Sequence, residues 1–112
     1  MSIQESIQIR AQGDVAYVEF DLIGEKVNKF SSAVMLRFKE VIGELKTSKY
    51  KAVVLTSKKP TIFIAGADIE EIKKLKTKDD FENVLIQAHE IFNAFEDLPM
   101  PTIAAVHGAC MG

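Results

Sequence analysis

The order in which two kinds of apolar pattern alternate along the chain is the strongest constraint on its fold. Over residues 31–48, and again over residues 79–97, apolar side chains recur every three or four positions, as they do in amphipathic helices. Each segment is followed by a short apolar run, over residues 52–55 and 102–106, that is typical of a buried strand. This order predicts an α/β fold with at least part of the sheet parallel.

Two segments near the amino terminus predict a β-hairpin. Residues 6–10 and 15–20 mix apolar and polar side chains, as strands with one covered face do. They are joined by Gln12, Gly13 and Asp14, which are residues that favour tight turns. The hairpin therefore comes before the first helix.

Cap and breaker residues mark the ends of the other elements. Ser31 stands where its side chain can cap the first turn of the first helix, and Pro99 stops the second helix. A further apolar stretch, residues 62–64, follows Pro60 and ends abruptly at Ala65.

The composition and charge of the chain narrow the classes of function. With 112 residues, 47% of them hydrophobic and 27% charged, the chain resembles one globular domain. The net charge is −2, so no basic field exists to attract a nucleic acid or an anionic membrane. No apolar run approaches the roughly 20 residues that span a bilayer. We therefore expect neither a nucleic acid partner nor a membrane span.

The amino-terminal segment and the single cysteine bear on the compartment. The segment MSIQESIQIR lacks the apolar core of a secretion signal. Cys110 has no second cysteine in this sequence with which to form an internal disulfide. Both observations favour a reducing compartment, and we expect a cytoplasmic location.

The last residues of the chain favour the interpretation that it is a fragment. Gly112 comes directly after a predicted strand, where an α/β unit would turn into its next helix. A strand without its crossover helix leaves apolar surface and a sheet edge uncovered. We therefore expect residues 1–112 to be the amino-terminal part of a larger domain.

The stretch Phe63-Ile64-Ala65-Gly66-Ala67-Asp68-Ile69-Glu70-Glu71 is the first candidate for chemistry. The small residues Ala65, Gly66 and Ala67 let the backbone approach a ligand, and N–H groups that open a helix suit an oxyanion. A purely structural alternative also fits the pattern. In that alternative Gly66 makes a turn, Asp68 caps a helix, and Glu71 completes an approximate capping box.

A second candidate stretch covers residues 103–112. Gly108 and Gly112 follow a predicted strand, which suggests that the backbone comes close to another group there. Open α/β sheets bind ligands at the carboxyl ends of their strands. Taken alone, these two glycines do not specify a ligand.

Taken together, the two stretches resemble the loops of a known family. The run FIAGADIEEI resembles the first oxyanion loop of the crotonase, or enoyl-CoA hydratase and isomerase, superfamily. PTIAAVHGACMG resembles the strand and loop that begin the second oxyanion loop of that family. GEKVNKFS and VHGACMG look most like the amino-terminal domain of a multifunctional fatty-acid oxidation alpha subunit. The resemblance covers essentially the whole chain and implies a crotonase-type (ClpP/crotonase) spiral of ββα units, of which this is the amino-terminal part.

The resemblance implies a lyase reaction, the hydration of trans-2-enoyl-CoA in fatty-acid β-oxidation. In this family two backbone N–H groups hold the thioester oxygen as negative charge develops on it. Ala67 matches the first of these donors. Positions that match the lining of the CoA and thioester site, or a segment that contacts CoA, are Ala65, Gly66, Asp68, Ile69, Lys26 and Val27. A related isomerase is the nearest alternative, and a non-catalytic binding or assembly module is a rival of another class.

Other parts that the family requires are expected outside this sequence. The second donor should be the middle glycine of a Gly-Gly-Gly run, of which Gly112 matches only the first. The two catalytic glutamates of the family should lie farther downstream still. The resemblance implies no cofactor in this part, because CoA belongs to the substrate and NAD would serve only a downstream dehydrogenase domain. It also implies an oligomer, or a thiolase subunit as partner.

Several other residues have side chains that could take part in catalysis or metal binding, but their sequence context favours a structural role. Glu70 and Glu71 fall at predicted solvent-facing helix positions, where a catalytic role is disfavoured. His89, His107 and Cys110 make a poor zinc set, and a Cys-His nucleophilic pair would lack an orienting Asp or Asn. The lysines that follow the first loop fit either CoA phosphates or a solvated helix face; they are Lys73, Lys74, Lys76 and Lys78.

Overall fold

A computed structural model describes residues 3–110, apart from the side chains of Ile3, Gln4 and Ile69. After a short 3-10 helix at Ile3–Ser6, helices and strands alternate along the chain. They are β1 (Ile7–Gln12), β2 (Val15–Phe20), α1 (Ser32–Lys46), β3 (Ala52–Ser57), β4 (Ile62–Ile64), α2 (Ile69–Ile72), α3 (Lys78–Glu96), β5 (Thr102–Ala104) and β6 (Ala109–Cys110).

The strands form two sheets, and the order of the larger one is β1-β2-β3-β5. The hairpin β1-β2 is antiparallel, as predicted, and turns at Gly13, whose φ of 61° favours glycine. β2 pairs with β3, and β3 with β5, in parallel. β4 and β6 form a small parallel sheet of their own. The predicted α/β fold with a partly parallel sheet is confirmed.

Helix α1 packs its predicted apolar face against the larger sheet. The Ser31 hydroxyl accepts a hydrogen bond from the Val34 N–H at 3.2 Å, so the predicted cap is confirmed. Burying side chains of this size stabilises the fold by about 1.5–3 kcal/mol each. The residues of α1 that are buried are Val34, Phe38, Val41, Ile42 and Leu45.

Helix α3 is where the sequence predicts it, but the apolar face of this helix is largely uncovered. Thr77 caps the helix by accepting from the Asp80 N–H at 3.0 Å. Ile91 is its only residue in the buried class among the described residues, whereas Phe81 remains 44% exposed. The helical period was therefore sufficient to predict α3 and its apolar face, but not the burial of that face.

The prediction of a buried strand over residues 102–106 is wrong in both length and burial. β5 ends at Ala104, and the Ile103 and Val106 side chains are more than half exposed. The reason is the position of β5 at the edge of the larger sheet, where its one partner strand among residues 3–110 is β3. β3 itself is central in the sheet, as predicted, although only Val53 and Ser57 of it are buried.

Candidate functional site

The small sheet brings the two glycine-containing stretches side by side. β4 and β6 run parallel, with Ile62 opposite Ala109 and Ile64 opposite Cys110. The carboxyl end of β4 therefore lies beside Cys110, the last residue of β6. Ala65, Gly66 and Ala67 follow the first of these strands, while Gly112 lies outside the described residues.

Backbone hydrogen bonds hold the loop after β4 against the segment that leads into α1. The Ala65 N–H donates to the Asn28 carbonyl at 2.7 Å, and the Phe30 N–H donates to the Gly66 carbonyl at 2.8 Å. The Asp68 N–H then donates to the Phe30 carbonyl at 2.9 Å. Within residues 3–110, the pairing leaves the N–H of Ala67 without an acceptor, and Ala67 is exposed. This arrangement presents one backbone donor from a loop that is fixed on both sides.

Gly66 makes this presentation possible. It is buried and has a φ of 99°, a conformation that residues with a side chain rarely adopt. The backbone turns there between the two hydrogen bonds that fix Ala65 and Asp68. Another residue at this position would strain the turn that carries Ala67.

A fully buried asparagine joins the strand ends beneath the loop. The Asn28 amide nitrogen donates to the Ser57 hydroxyl at 2.8 Å and to the carbonyls of Phe20 and Phe63, each at 3.2 Å. Its amide oxygen accepts from the Leu22 N–H at 3.1 Å. One side chain thus ties together the carboxyl ends of β2, β3 and β4. The sequence offered no periodic signal that singles out this asparagine.

A buried lysine fixes the loop between β2 and α1, where Lys26 and Val27 lie. The Lys59 ammonium group donates to the carbonyls of Leu22 and Glu25, both at 2.7 Å. It also pairs with the Asp21 carboxylate at 2.8 Å. Three oxygen partners compensate for the desolvation of this cation. Lys26 itself is exposed and Val27 is half-buried.

The β5–β6 connection is anchored to the same lysine by His107. The His107 Nε2 lies 2.7 Å from the Lys59 carbonyl, and its ring stands edge-on to Phe63. Gly108 has a φ of 63°, and a side chain there would collide with the Thr61 carbonyl. The close approach predicted at Gly108 is thus to backbone. In the described part of the chain, no hydrogen bond joins His107 to Cys110.

The two acidic residues at the start of α2 behave differently from one another. Asp68 caps the helix, since its Oδ1 accepts from the Glu70 N–H at 3.0 Å. The predicted capping box is wrong, because Glu71 reaches away from Asp68 to the Ser32 N–H at 2.7 Å and the Ser32 hydroxyl at 3.0 Å. Glu71 is partly buried and its contact with Ser32 is exposed, whereas Glu70 is exposed.

Of the two interpretations of the lysines after the first loop, the solvated helix face is right about exposure but wrong about the helix for three of the four. α2 ends at Ile72, so Lys73, Lys74 and Lys76 lie in the connection to α3, and only Lys78 is helical. All four lysines are exposed. The four side chains therefore form an exposed basic segment that runs from the end of α2 to the start of α3.

An apolar cavity of about 580 Å³ lies beside the loop that carries Ala67. The amino-terminal end of α1, the short helix α2 and the apolar face of α3 surround it. Gly66, Ala67 and Cys110 form part of the wall, so the free N–H of Ala67 belongs to a residue that borders the cavity. A cavity with mostly apolar walls and a few polar groups suits a ligand with an apolar chain and a polar end.

Among residues 3–110, the remaining candidate residues do not form a second catalytic or metal site. His89 and Cys110 are exposed, and they lie on α3 and β6. Over residues 3–110, no three metal-binding side chains come together as a cation site would require. Neither α1 nor any other described helix has both the length and the apolar character needed to cross a bilayer.

Residues 10–112 match the family described as enoyl-CoA hydratase/isomerase. The chain is 43% identical over 110 residues to the fatty acid oxidation complex subunit alpha of Acinetobacter baumannii (strain AYE), covering 96% of this chain and 15% of that protein. It is 35% identical over 114 residues to the subunit of the same name from Vibrio campbellii, covering 100% of this chain and 16% of that protein. The chain thus spans only 15–16% of the length of these relatives.

Solved structures show the same fold. An enoyl-CoA hydratase from Mycobacterium smegmatis superposes with a TM-score of 0.82 at 25% identity, covering 92% of this chain and 40% of that chain. An enoyl-CoA hydratase from Bacillus anthracis gives 0.81 at 22% identity, with the same coverage of 92% and 40%. The crotonase-type α/β fold predicted from the two loop motifs is confirmed. Together with the family match, these likenesses show that the chain belongs to the enoyl-CoA hydratase/isomerase, or crotonase, family.

Proposed function

We propose that this chain forms part of the active site of an enoyl-CoA hydratase that adds water to trans-2-enoyl-CoA in fatty-acid β-oxidation. The observation that carries the proposal is the N–H of Ala67, which has no acceptor within residues 3–110 and borders the apolar cavity. A thioester oxygen placed at this donor would have its acyl chain beside apolar walls. The fixed loop on either side of Ala67 keeps the donor oriented before the reaction begins.

In the proposed reaction, a water molecule supplies hydroxide to C3 of the substrate and a proton to C2. Electron density moves from the double bond onto the thioester oxygen, which becomes enolate-like, and returns as C2 is protonated. A backbone donor at that oxygen stabilises this charge more strongly in the transition state than in the substrate. We assign this role to Ala67. The proposal places the second donor and both acid–base glutamates beyond Gly112.

The other parts of the substrate are assigned to residues near Ala67. Ala65, Gly66, Asp68 and Ile69 would line the thioester, and Lys26 and Val27 would contact the CoA moiety. The pairing of Ala65 with Asn28, the residue after Val27, supports this proximity. We propose that the phosphates of CoA bind the exposed lysines that follow α2, which are Lys73, Lys74, Lys76 and Lys78.

The proposal extends to the protein as a whole through its relatives. We place residues 1–112 in the amino-terminal part of the hydratase/isomerase domain of an enzyme located in the cytoplasm. No cofactor would act in this part, and NAD would serve only a separate dehydrogenase domain. The assembly would be an oligomer or a complex with a thiolase subunit.

Loss of the conjugated thioester absorbance of crotonyl-CoA tests the proposal. The complete enzyme should hydrate crotonyl-CoA, whereas the purified 112-residue polypeptide should show no measurable turnover. One missing oxyanion donor costs about 10²-fold or more in rate, and missing acid–base groups cost a further 10²- to 10⁴-fold. A 3-enoyl-CoA should be assayed in parallel, because conversion of that substrate alone would favour an isomerase. Robust hydration by the pure polypeptide would contradict the assignment of roles beyond Gly112.

A further inference from the structure

Glu71 makes a contact that connects two parts of the chain 39 residues apart. Its Oε2 accepts from the backbone N–H of Ser32 at 2.7 Å and from the Ser32 hydroxyl at 3.0 Å. Ser32 is the first residue of α1, and Glu71 belongs to α2, directly after the loop that carries Ala67. The contact therefore joins the downstream end of this loop to the start of α1.

Helix α2 cannot hold its own position by helical hydrogen bonding. It has four residues, and a helix of that length has hardly passed the unfavourable nucleation step. The Ile72 N–H donates to the Asp68 carbonyl at 3.2 Å, and the Glu71 and Ile72 carbonyls accept from Lys74 and Leu75, each at 3.1 Å. The position of α2 consequently depends on tertiary contacts. One of these contacts is made by a charged group, the Glu71 carboxylate, which accepts from Ser32.

The start of α1 is well suited to receive this carboxylate. The first N–H groups of a helix have no partner within the helix, and the positive end of the helix dipole lies there. Ser31 already accepts from the Val34 N–H, so its hydroxyl leaves the Ser32 N–H for another acceptor. A carboxylate that accepts two hydrogen bonds forms a stronger link than a neutral acceptor would.

The contact completes a line of bonds along the loop. Upstream of Ala67, the Phe30 N–H holds Gly66, and immediately downstream the Phe30 carbonyl holds Asp68. Ser32 then holds Glu71 one turn later. Residues 28–32 are thus hydrogen-bonded along residues 65–71. Ala67 lies in the middle of this pairing, and the bond to Glu71 is at its carboxyl-terminal end.

We propose that Glu71 is a positioning residue that fixes the direction of the Ala67 N–H by tying α2 to the start of α1. The inference rests on the function proposed above and adds a role for a residue that does not itself touch the reacting atoms. Glu71 acts as a hydrogen-bond acceptor in this role, and no proton passes between its carboxylate and the substrate.

Four variants of the complete enzyme separate positioning from other roles. Glu71→Ala removes the acceptor, whereas Glu71→Gln keeps an oxygen that can accept from Ser32. Ser32→Pro removes both donors and fits the first position of a helix. Ser31, at φ −93° and ψ 170°, is extended, as a residue before proline should be. Glu70→Ala is the matched control, because the neighbouring Glu70 side chain is 79% exposed.

Turnover of crotonyl-CoA at saturation is the primary measurement. Glu71→Ala and Ser32→Pro should each lower kcat about 10- to 100-fold, because a small displacement of a catalytic donor has effects of this size. Glu70→Ala should remain close to the wild type, and Glu71→Gln, which keeps an acceptor but loses the charge, should lose less kcat than Glu71→Ala. The double variant Glu71→Ala/Ser32→Pro should be no worse than either single variant, since both remove the same contact. KM should change less than kcat.

A second measurement keeps this inference separate from the proposed function. The amide NMR signal of Ala67 should shift in Glu71→Ala and Ser32→Pro and stay in place in Glu70→Ala. If the wild type fails to hydrate crotonyl-CoA, the proposed function is wrong, and the NMR comparison alone decides whether Glu71 positions the loop. An unchanged kcat or an unmoved Ala67 signal in Glu71→Ala would overturn the inference. Equal losses in Glu71→Gln and Glu71→Ala would also overturn it, because an acceptor retained at this position would then make no difference to the loop.

Discussion

Two regions of this chain use similar sequence patterns to different structural effect. Residues 7–53 supply most of the apolar core, in which Phe38 is 1% exposed. Residues 78–110 contain an equally regular helical pattern, yet Phe81 of α3 and Ile103 of β5 are exposed at 44% and 53%. The comparison shows that periodicity predicts which face of an element is apolar, while burial depends on what other elements cover that face.

The polar residues of the two regions differ in the same way. Asn28 of the first region is buried and hydrogen-bonds to the Leu22 N–H, and Lys59, which follows that region, is buried and donates to the carbonyls of Leu22 and Glu25. No buried side-chain nitrogen or oxygen of the described residues lacks a partner. His89 and the charged residues of α3 are instead exposed. The loop that carries Ala67 is therefore held by hydrogen bonds to the first region, whereas the second region contributes apolar wall to the cavity.

The largest difference between the two regions should appear on truncation of a phenylalanine in each. Phe38→Ala should lower the free energy of unfolding by about 3–5 kcal/mol, because it opens a cavity among Phe20, Phe30 and Phe95. Phe81→Ala should cost far less. Urea unfolding followed by circular dichroism gives both values. Equal losses in the two variants would mean that α3 is covered in solution.

Removal of the buried asparagine should have the next largest effect. Asn28→Ala leaves the Leu22 N–H without its acceptor inside the protein, which costs about 1–3 kcal/mol in the free energy of unfolding. The same urea titration measures this loss, and Asn93→Ala on α3 is the control because Asn93 is exposed. A stability of Asn28→Ala equal to that of the control would show that the strand ends are joined by other contacts.

A smaller effect is expected at the boundary between the two regions, at the cap of α2. Asp68→Ala should lower the free energy of unfolding by about 1 kcal/mol, since the Glu70 N–H loses its acceptor. Asp68→Asn should be mild, because an amide oxygen can still accept this bond. A stable Asp68→Asn enzyme that has lost all hydration would contradict this interpretation and point to a direct role for the charge.

The smallest change in stability is expected on the exposed face of α3, where association is the informative measurement. The purified chain should self-associate through exposed apolar side chains. Leu85→Lys should reduce this association and alter the free energy of unfolding by less than about 0.5 kcal/mol. Ile23→Lys, in the β2–α1 loop, is the control and should leave association unchanged. Sedimentation velocity measures both variants, and a monomeric wild type would contradict the prediction.

These differences also explain how much could be predicted from the sequence. The hairpin, α1 with its Ser31 cap, and the turn at Gly66 follow from neighbouring residues, so local patterns were sufficient. The partner of Glu71 lies 39 residues away, and that of His107 lies 48 residues away. No local pattern carries such information, which is why the contact of Glu71 with Ser32 could not be predicted. Lys59 was missed for the same reason, because its oxygen partners come from a distant loop.

The central claim, that the N–H of Ala67 stabilises the thioester oxygen, is tested most directly by two substitutions at that residue. Ala67→Pro removes the N–H, whereas Ala67→Gly keeps it and removes only the methyl group. With folding of both variants verified by circular dichroism, crotonyl-CoA hydration by the complete enzyme is compared at saturation. Ala67→Pro should lower kcat by about 10²- to 10³-fold, and Ala67→Gly should stay close to the wild type. A folded Ala67→Pro enzyme with near-normal kcat would contradict the claim.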